Sequence, residues 1–271
     1  MPFSLRETFG HRQPLIAMIH LPALPGTPAY GNDWPAVLRQ VEEEAILLRA
    51  AGVDALLLEN MHDTPYLART VGPEIVAAMT VAARCVRRVA ADLPCGMQVL
   101  AGANQAALAI ALAADLQFIR AEGFVFGHVA DEGWINSDAG ALLRYRRAIG
   151  ADHIAIYTDI KKKHSAHSVT ADVDLAETAK AAAFFRTDGL IVTGTATGAP
   201  AQMADLQAVR AACPGLPLLV GSGITAGNVA AYRSVADGFI VGSDLKYQGH
   251  WANELDMQRV TALVAALNQQ A

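Results

Sequence analysis

Eight times along this chain, a short run that is apolar on both faces is followed by a stretch with helical periodicity. The runs are 15–19, 55–58, 96–100, 117–121, 154–158, 189–193, 218–221 and 238–241. The helical stretches are 35–50, 74–90, 104–113, 137–149, 172–185, 201–212, 226–234 and 253–268. Strand side chains alternate between two faces, so such a run needs cover on both sides, as in a parallel sheet whose crossovers are helices. Several runs are announced by a turn carrying Gly or Asp, such as Ala51-Gly52-Val53-Asp54 and Thr187-Asp188-Gly189. Pro35, just after Asn32-Asp33-Trp34, is a helix start signal. Eight right-handed strand–helix units close naturally into an α/β fold of the (β/α)8 or TIM barrel type. The competing architecture is an open doubly wound sheet. No GxGxxG turn follows the first run, which weakens that dinucleotide-binding alternative.

The 271 residues contain no linker or low-complexity tract. That length suits one barrel of roughly 250 residues. The chain 1–271 is therefore read as a single domain, with 1–14 an N-terminal extension or a cap on the barrel bottom. Hydrophobic residues make up 53%, enough for a large core. The net charge is -5 and no like-charge run exceeds Lys161-Lys162-Lys163, which argues against a nucleic-acid partner. The N-terminus carries Arg6, Glu7, His11 and Arg12 and lacks the apolar segment of a secretory signal. The most apolar helical stretch, 106–114, is far short of the roughly 20 residues a membrane span needs. Cys85, Cys95 and Cys213 are scattered and odd in number. They suggest neither a disulfide framework nor a thiolate zinc site, and they fit a reducing cytoplasm.

The seventh run ends Val220-Gly221-Ser222-Gly223 and the eighth ends Val241-Gly242-Ser243-Asp244. In a barrel these loops lie side by side at the catalytic face, where phosphate sites are commonly built. Glycines let backbone N–H groups approach an anion closely. Gly221, Ser222, Gly223, Gly242 and Ser243 are thus the candidate phosphate cradle. The structural alternative is that these glycines only make tight turns. No cofactor is required, although a flavin mononucleotide phosphate would use the same cradle.

Catalytic groups in barrels gather at the C-terminal strand ends. Those ends carry His20, Glu59 with Asn60, Gln98, Arg120 with Glu122, Asp159 with Lys161 and His164, and Thr193. A carboxylate closing a buried run is costly unless paired, protonated or functional. Glu59 and Asp159 are the candidate acid and base, and are expected to face one another across the mouth beside Arg120. His20 is a further candidate base, and Glu122 shares a strand face with Arg120. One lysine of Lys161-Lys162-Lys163, with Lys161 the named candidate, could bind a phosphate or form a Schiff base, the alternative being a solvated charged loop; Asn60, Thr193 and His164 are candidate substrate contacts. The competing reading of Asp159, Arg120 and Lys161 is a salt-bridge network. His164 and His167 have metal-like spacing, but only His20-Leu21-Pro22 stands where a metal hydrolase would place HxH, so no metal is expected. Two long loops, 21–33 and the aromatic-bearing 123–136, are lid candidates.

Five segments of the chain resemble the BtpA/SgcQ family. They are Met18-Ile19-His20-Leu21-Pro22-Ala23-Leu24-Pro25-Gly26, Leu58-Glu59-Asn60-Met61, Phe118-Ile119-Arg120-Ala121-Glu122, Asp159-Ile160-Lys161-Lys162-Lys163-His164-Ser165 and Val220-Gly221-Ser222-Gly223. The resemblance spans nearly the whole chain. It implies a ribulose-phosphate-binding type of barrel. One branch of the family carries the name photosystem I biogenesis, and another lies among sugar-utilisation genes of carbohydrate metabolism. After the third run this chain reads Val99-Leu100-Ala101-Gly102-Ala103-Asn104, where an Arg-Asn-Asp-like run is expected in relatives, so the substrate contact there is expected to differ.

The leading expectation is an enzyme that binds a small phosphorylated sugar or nucleotide-like metabolite and uses acid–base chemistry for isomerisation, lysis or glycosidic cleavage. The alternative is a non-catalytic assembly or stability factor for a photosynthetic membrane complex. A third is a flavin mononucleotide barrel. A homo-oligomer is left open.

Overall fold

A computed structural model describes residues 2–10 and 12–269; Met1, His11 and the last two positions of the expected domain lie outside the described residues. The strands are β1 (Leu15–His20), β2 (Ala55–Glu59), β3 (Cys95–Gln98), β4 (Phe118–Ala121), β5 (His128–Ala130), β6 (Gly133–Ile135), β7 (Ala155–Asp159), β8 (Ser165–Ala166), β9 (Gly189–Val192), β10 (Leu218–Val220) and β11 (Gly238–Val241). The helices are α1 (Leu5–Phe9), α2 (Trp34–Ala50), α3 (Pro73–Val89), α4 (Asn104–Ala114), α5 (Ala139–Ala148), α6 (Leu175–Phe184), α7 (Met203–Ala212), α8 (Val229–Tyr232) and α9 (Met257–Asn268). Eight of the strands form a closed parallel barrel in the order β1-β11-β10-β9-β7-β4-β3-β2. The first and last strands pair directly, Leu15 opposite Phe239 and Ala17 opposite Val241, which excludes the open sheet.

The pleat sorts each barrel strand into inward and outward residues. The inward set includes Ile16, Met18, Leu57, Phe118, Tyr157, Ile191, Leu219 and Ile240, which form one buried cluster. Large and small residues interlock there. A Cβ on Gly96 would run into the Phe118 ring, and one on Gly189 would reach Tyr157 Cε1 at 2.8 Å, so each glycine makes room for a neighbouring aromatic. The outward residues pack against the helices in a second, larger cluster. Leu5 of α1, with Phe3 and Phe9, joins the inner cluster, and Phe3 stacks on Phe118 with ring centroids 5.9 Å apart. The N-terminal segment thereby plugs the barrel bottom.

The acidic turns before the strands have a common role at that bottom. Asp54 accepts from Leu15 N, Asp188 from Ile156 N and Asp237 from Leu218 N, each at 2.8 Å. Gln117 does the same for Cys95 N. In each case a residue just before one strand caps the open N–H of its neighbour, satisfying a donor that the ladder leaves free. Arg12, Arg146 and Arg210 pair with the three aspartates. Helix starts are capped as well: Asp33, Asp174 and Asp256 accept from N–H groups of the first turn of α2, α6 and α9. The helix expected over 226–234 shrinks to four residues, because Asn228 commits its side chain to the preceding loop: its Oδ1 accepts from Thr225 N and its Nδ2 donates to the Gly223 carbonyl.

Segment 123–136 is not an irregular lid. It forms the β5–β6 hairpin, and β8 adds to β5 as a third antiparallel strand. Phe124 is buried and Trp134 exposed, so neither covers the mouth. Among the described residues no helix is long and apolar enough to cross a membrane.

The aromatic plug should dominate core stability. Phe118→Ala is expected to cost about 3–5 kcal/mol, since both the ring and its stacking partners lose their packing. Urea unfolding midpoints of the two proteins check this, and a loss under about 1 kcal/mol would show that the barrel interior collapses around the gap.

Candidate functional site

A cavity of 470 Å³ opens at the C-terminal ends of the barrel strands. The inward stripe that is apolar below becomes polar here. His20, Glu59, Gln98, Arg120 and Glu122 line it, together with the loops after β10 and β11.

His20 and Glu59 are opposite one another across the β1–β2 ladder, with His20 Nε2 3.6 Å from Glu59 Oε2. His20 Nδ1 lies 3.2 Å from the Trp251 carbonyl. A carbonyl only accepts, so Nδ1 carries the hydrogen and Nε2 keeps its lone pair on the Glu59 side. Burial, reinforced by the Lys246 charge, lowers the His20 pKa to about 3, so the ring is neutral. Burial raises the Glu59 pKa to about 7, against the pull of Arg120 and Lys163. A carboxyl that holds its proton near neutrality thus sits beside a neutral imidazole with a free acceptor, and Glu59 is the member of the pair whose pKa suits proton transfer near pH 7.

Asp159 is placed differently from the expected opposite wall. Arg120 donates to it from Nε at 3.1 Å and from Nη2 at 3.1 Å, and both side chains are almost fully buried. Among the described residues that line the cavity, Arg120 is present and Asp159 is not. Asp159 is the counter-ion of Arg120, so the salt-bridge reading holds for this pair. Asn60 is also withdrawn from the cavity, since its amide bridges Asp63 and Leu100 N. Thr193 is likewise absent from the lining, and its buried hydroxyl has no partner among the described residues.

The three lysines diverge. Lys161 has φ +49° and donates to the carbonyls of Thr170 and Val173, away from the mouth. Lys162 is buried against Glu122 at 3.4 Å. Lys163 enters the cavity, where burial and then Arg120 lower its pKa. His164 accepts from Thr197 N through Nε2 and so joins the lysine loop to the loop after β9. His167 points elsewhere, to the Lys162 carbonyl, which leaves the two histidines without a common ligand position. Glu122 lines the cavity, held by Lys162 and by Gln98 Nε2 at 3.3 Å. From the β5, β6 and β8 sheet only the turn residues Asp131 and Glu132 reach the cavity, and loop 21–33 contributes nothing to its described lining.

The glycine loops form one rim. Gly221 N donates to Val192 O, while the N–H groups of Ser222, Gly223, Ile224 and Ser243 make no hydrogen bond among the described residues. The Ser222 hydroxyl is occupied, accepting from Gly194 N and donating to Ala199 O. Gly223 has φ +68°, and a Cβ there would strike the Ala199–Pro200 backbone, so this glycine is needed to build the rim whatever binds to it. Gly242 abuts His20: a Cβ would come within 2.7 Å of Nε2. Arg259 also lines the cavity and is paired with Asp244.

Sequence reasoning did not single out Lys163, Tyr66, Asp131, Glu132, Trp251 or Arg259, all of which line the cavity. The lysine motif was a signal for Lys163, but its orientation depends on positive φ at Lys161 and His164. Tyr66, Asp131, Glu132 and Trp251 come from loops with no periodicity to read, and Arg259 lies in the first turn of α9, where the helical pattern does not mark it.

Fold and site together define a TIM barrel with an ionisable cavity at its C-terminal mouth. Residues 11–269 match the model of the BtpA family, and the chain belongs to that family. The Caenorhabditis elegans mitochondrial protein F13E9.13 is 49% identical over 94% of both chains. The photosystem I biogenesis protein BtpA of Synechocystis is 35% identical, over 97% of this chain and 91% of that protein. In fold, the chain is similar to (S)-3-O-geranylgeranylglyceryl phosphate synthase from Thermoplasma acidophilum, solved with its substrate sn-glycerol-1-phosphate (TM-score 0.60, 15% identity, 98% and 97% of the two chains). It is also similar to phosphoribosyl anthranilate isomerase from Thermus thermophilus (TM-score 0.58, 15% identity, 94% and 98%).

The raised Glu59 pKa has a measurable consequence. The folded chain holds this proton to about pH 7, whereas the unfolded chain releases it near 4.5. Between those values the folded state binds the extra proton, so the Glu59 contribution is full below about pH 4.5 and is lost as pH rises through about 7. His20 acts oppositely: its proton is favoured in the unfolded chain between about pH 3 and 6.5, so its contribution grows as pH rises through that range. Relative to Glu59→Gln, the native chain should lose stability from about pH 4.5 to 7 and then level off. Urea midpoints across pH check this, and a constant difference would mean an ordinary carboxyl.

Proposed function

We propose that this chain is an acid–base enzyme acting on a small phosphorylated metabolite, a sugar phosphate or nucleotide-like compound. The observation that carries the reading is the His20–Glu59 pair, with pKa values pushed apart to about 3 and about 7 in one cavity. Glu59 donates a proton to a substrate oxygen, or removes one from carbon, near neutral pH. Neutral His20, with its pKa lowered to about 3, stays unprotonated and offers the Nε2 lone pair as an acceptor beside Glu59, which itself gives and regains the proton. Arg120, neutralised from behind by Asp159, faces an anionic group of the ligand, and Glu122 is the second carboxylate within reach. The phosphate belongs at the rim formed by Gly221, Ser222, Gly223, Gly242 and Ser243, where the N–H groups of Ser222, Gly223 and Ser243 stand free among the described residues. Barrels of this shape with phosphorylated substrates, such as the glycerol-1-phosphate complex, support that placement at the level of fold. Isomerisation, carbon–carbon or carbon–oxygen lysis and glycosidic cleavage all suit this set of groups. Three free cysteines fit the reducing cytoplasm expected from the sequence.

A second reading has one observation in its favour, the name of the Synechocystis relative. On that reading the chain assists assembly of a photosynthetic complex, catalyses nothing, and loses function through surface substitutions outside the cavity.

Thermal-shift screening with sugar phosphates, each beside its dephosphorylated counterpart, tests the first reading. Ligands should require the phosphate; equal binding without it would remove the cradle. With a turned-over ligand in hand, Glu59→Gln should lower kcat by about 10²–10⁴-fold and leave Kd nearly unchanged. Unchanged turnover would assign Glu59 a structural role.

A further inference from the structure

The chain has 21 Lys and Arg residues, yet only five are lysines: Lys161, Lys162, Lys163, Lys180 and Lys246. Four of the five amines have partners. Lys161 donates to the Thr170 and Val173 carbonyls, Lys162 pairs with Glu122, exposed Lys180 pairs with Glu177, and buried Lys246 is held by both oxygens of Glu44 at 2.7 Å. Lys163 alone, among the described residues, makes no ion pair or side-chain hydrogen bond, and it lines the cavity with Glu59, Arg120 and Glu122. An amine used only as a cation gains by pairing with one of the carboxylates around it. Here Asp159 is committed to Arg120 and Glu122 to Lys162, while Glu59 holds its proton to about pH 7.

We propose that Lys163 is a nucleophilic amine that forms an imine with an aldehyde or ketone of the bound ligand, which makes the ligand class a phosphorylated carbonyl compound. This rests on the phosphorylated-metabolite reading of the same cavity. Lys163 is half-buried, so its amine meets the ligand where water is depleted. Burial and the neighbouring guanidinium of Arg120 both favour its uncharged form, and Glu59, Asp159 and Glu122 oppose them. The effect of a second cation on a lysine nucleophile is a recognised route to activation. The step balances without an oxidant. The amine nitrogen attacks the carbonyl carbon, the carbonyl electron pair moves to oxygen, and that oxygen takes a proton. The carbinolamine then loses its hydroxyl as water while the nitrogen lone pair completes C=N. Both amine protons leave in the water. Glu59, which holds a proton near pH 7, gives one to the oxygen and regains one from the nitrogen.

Pyridoxal 5′-phosphate, a phosphorylated aldehyde, is the probe, with borohydride to reduce the imine and peptide mass spectrometry to locate it among the five lysines. The label should concentrate on Lys163 ahead of exposed Lys180, and inorganic phosphate should slow it. Lys163→Met should lose it while keeping the native urea midpoint, because no partner is left unpaired; Lys163→Arg serves if the first variant does not fold. Label that favours Lys180, or that persists at the same rate in the Lys163 variant, overturns the proposal. Pyridoxal lacking the phosphate separates the two readings. If it labels Lys163 as fast and phosphate does not protect, the imine chemistry stands and the phosphate site fails. If phosphate protects the cavity and Lys163 stays unlabelled, the phosphate site stands and the imine chemistry fails.

Discussion

The Arg120–Asp159 ion pair sets the terms for everything above it. A buried guanidinium is expensive unless fully compensated, and Asp159 provides bonds to two of its nitrogens. The pair sits where the apolar filling of the barrel stops and the cavity begins. With Asp159 as the counter-ion, Glu59 is released from that duty. Burial then dominates its pKa and holds it near neutrality. Were Glu59 the partner of Arg120, the guanidinium would pull it down into the ordinary carboxylate range and no proton would be available at pH 7.

The two ends of the barrel divide the work. At the bottom, donors are closed off: Asp54, Gln117, Asp188 and Asp237 cap neighbouring strands, and the N-terminal aromatics seal the opening. At the top, polar groups are left over. Gln98 Oε1 and Thr193 Oγ1 are buried without hydrogen-bond partners among the described residues, and Glu132 Oε2 has only the Lys162 charge at 3.9 Å. A buried unpaired acceptor costs free energy that the rest of the fold must offset, and such groups concentrate where a ligand completes the set. Conserving stability at one face leaves the other free to carry chemistry.

Much of this was readable from the residues in order. Period-2 placement puts His20, Glu59, Gln98 and Arg120 on the inward face of their strands, and the structure lines one cavity with all four. The same logic sends Asp159 inward, yet it cannot say whether that carboxylate meets a ligand or an arginine; that depended on the strand next door, where Arg120 reaches across. Lys161 and Lys163 differ by two positions in a loop, where no periodicity applies. Which one enters the mouth follows from backbone angles that only the packed loop imposes.

The sequence by itself determined the eightfold alternation, the inward stripe of polar strand ends and the paired glycine loops, because each is a local pattern read from spacing and residue type. Tertiary structure alone decided which charges neutralise one another and which stay free. Pairing and burial arise between strands and loops far apart in sequence, as with Lys246 on Glu44 and Trp251 on His20. The protonation of Glu59 is therefore a property of the closed barrel, where water is excluded and the nearest arginine is already bound.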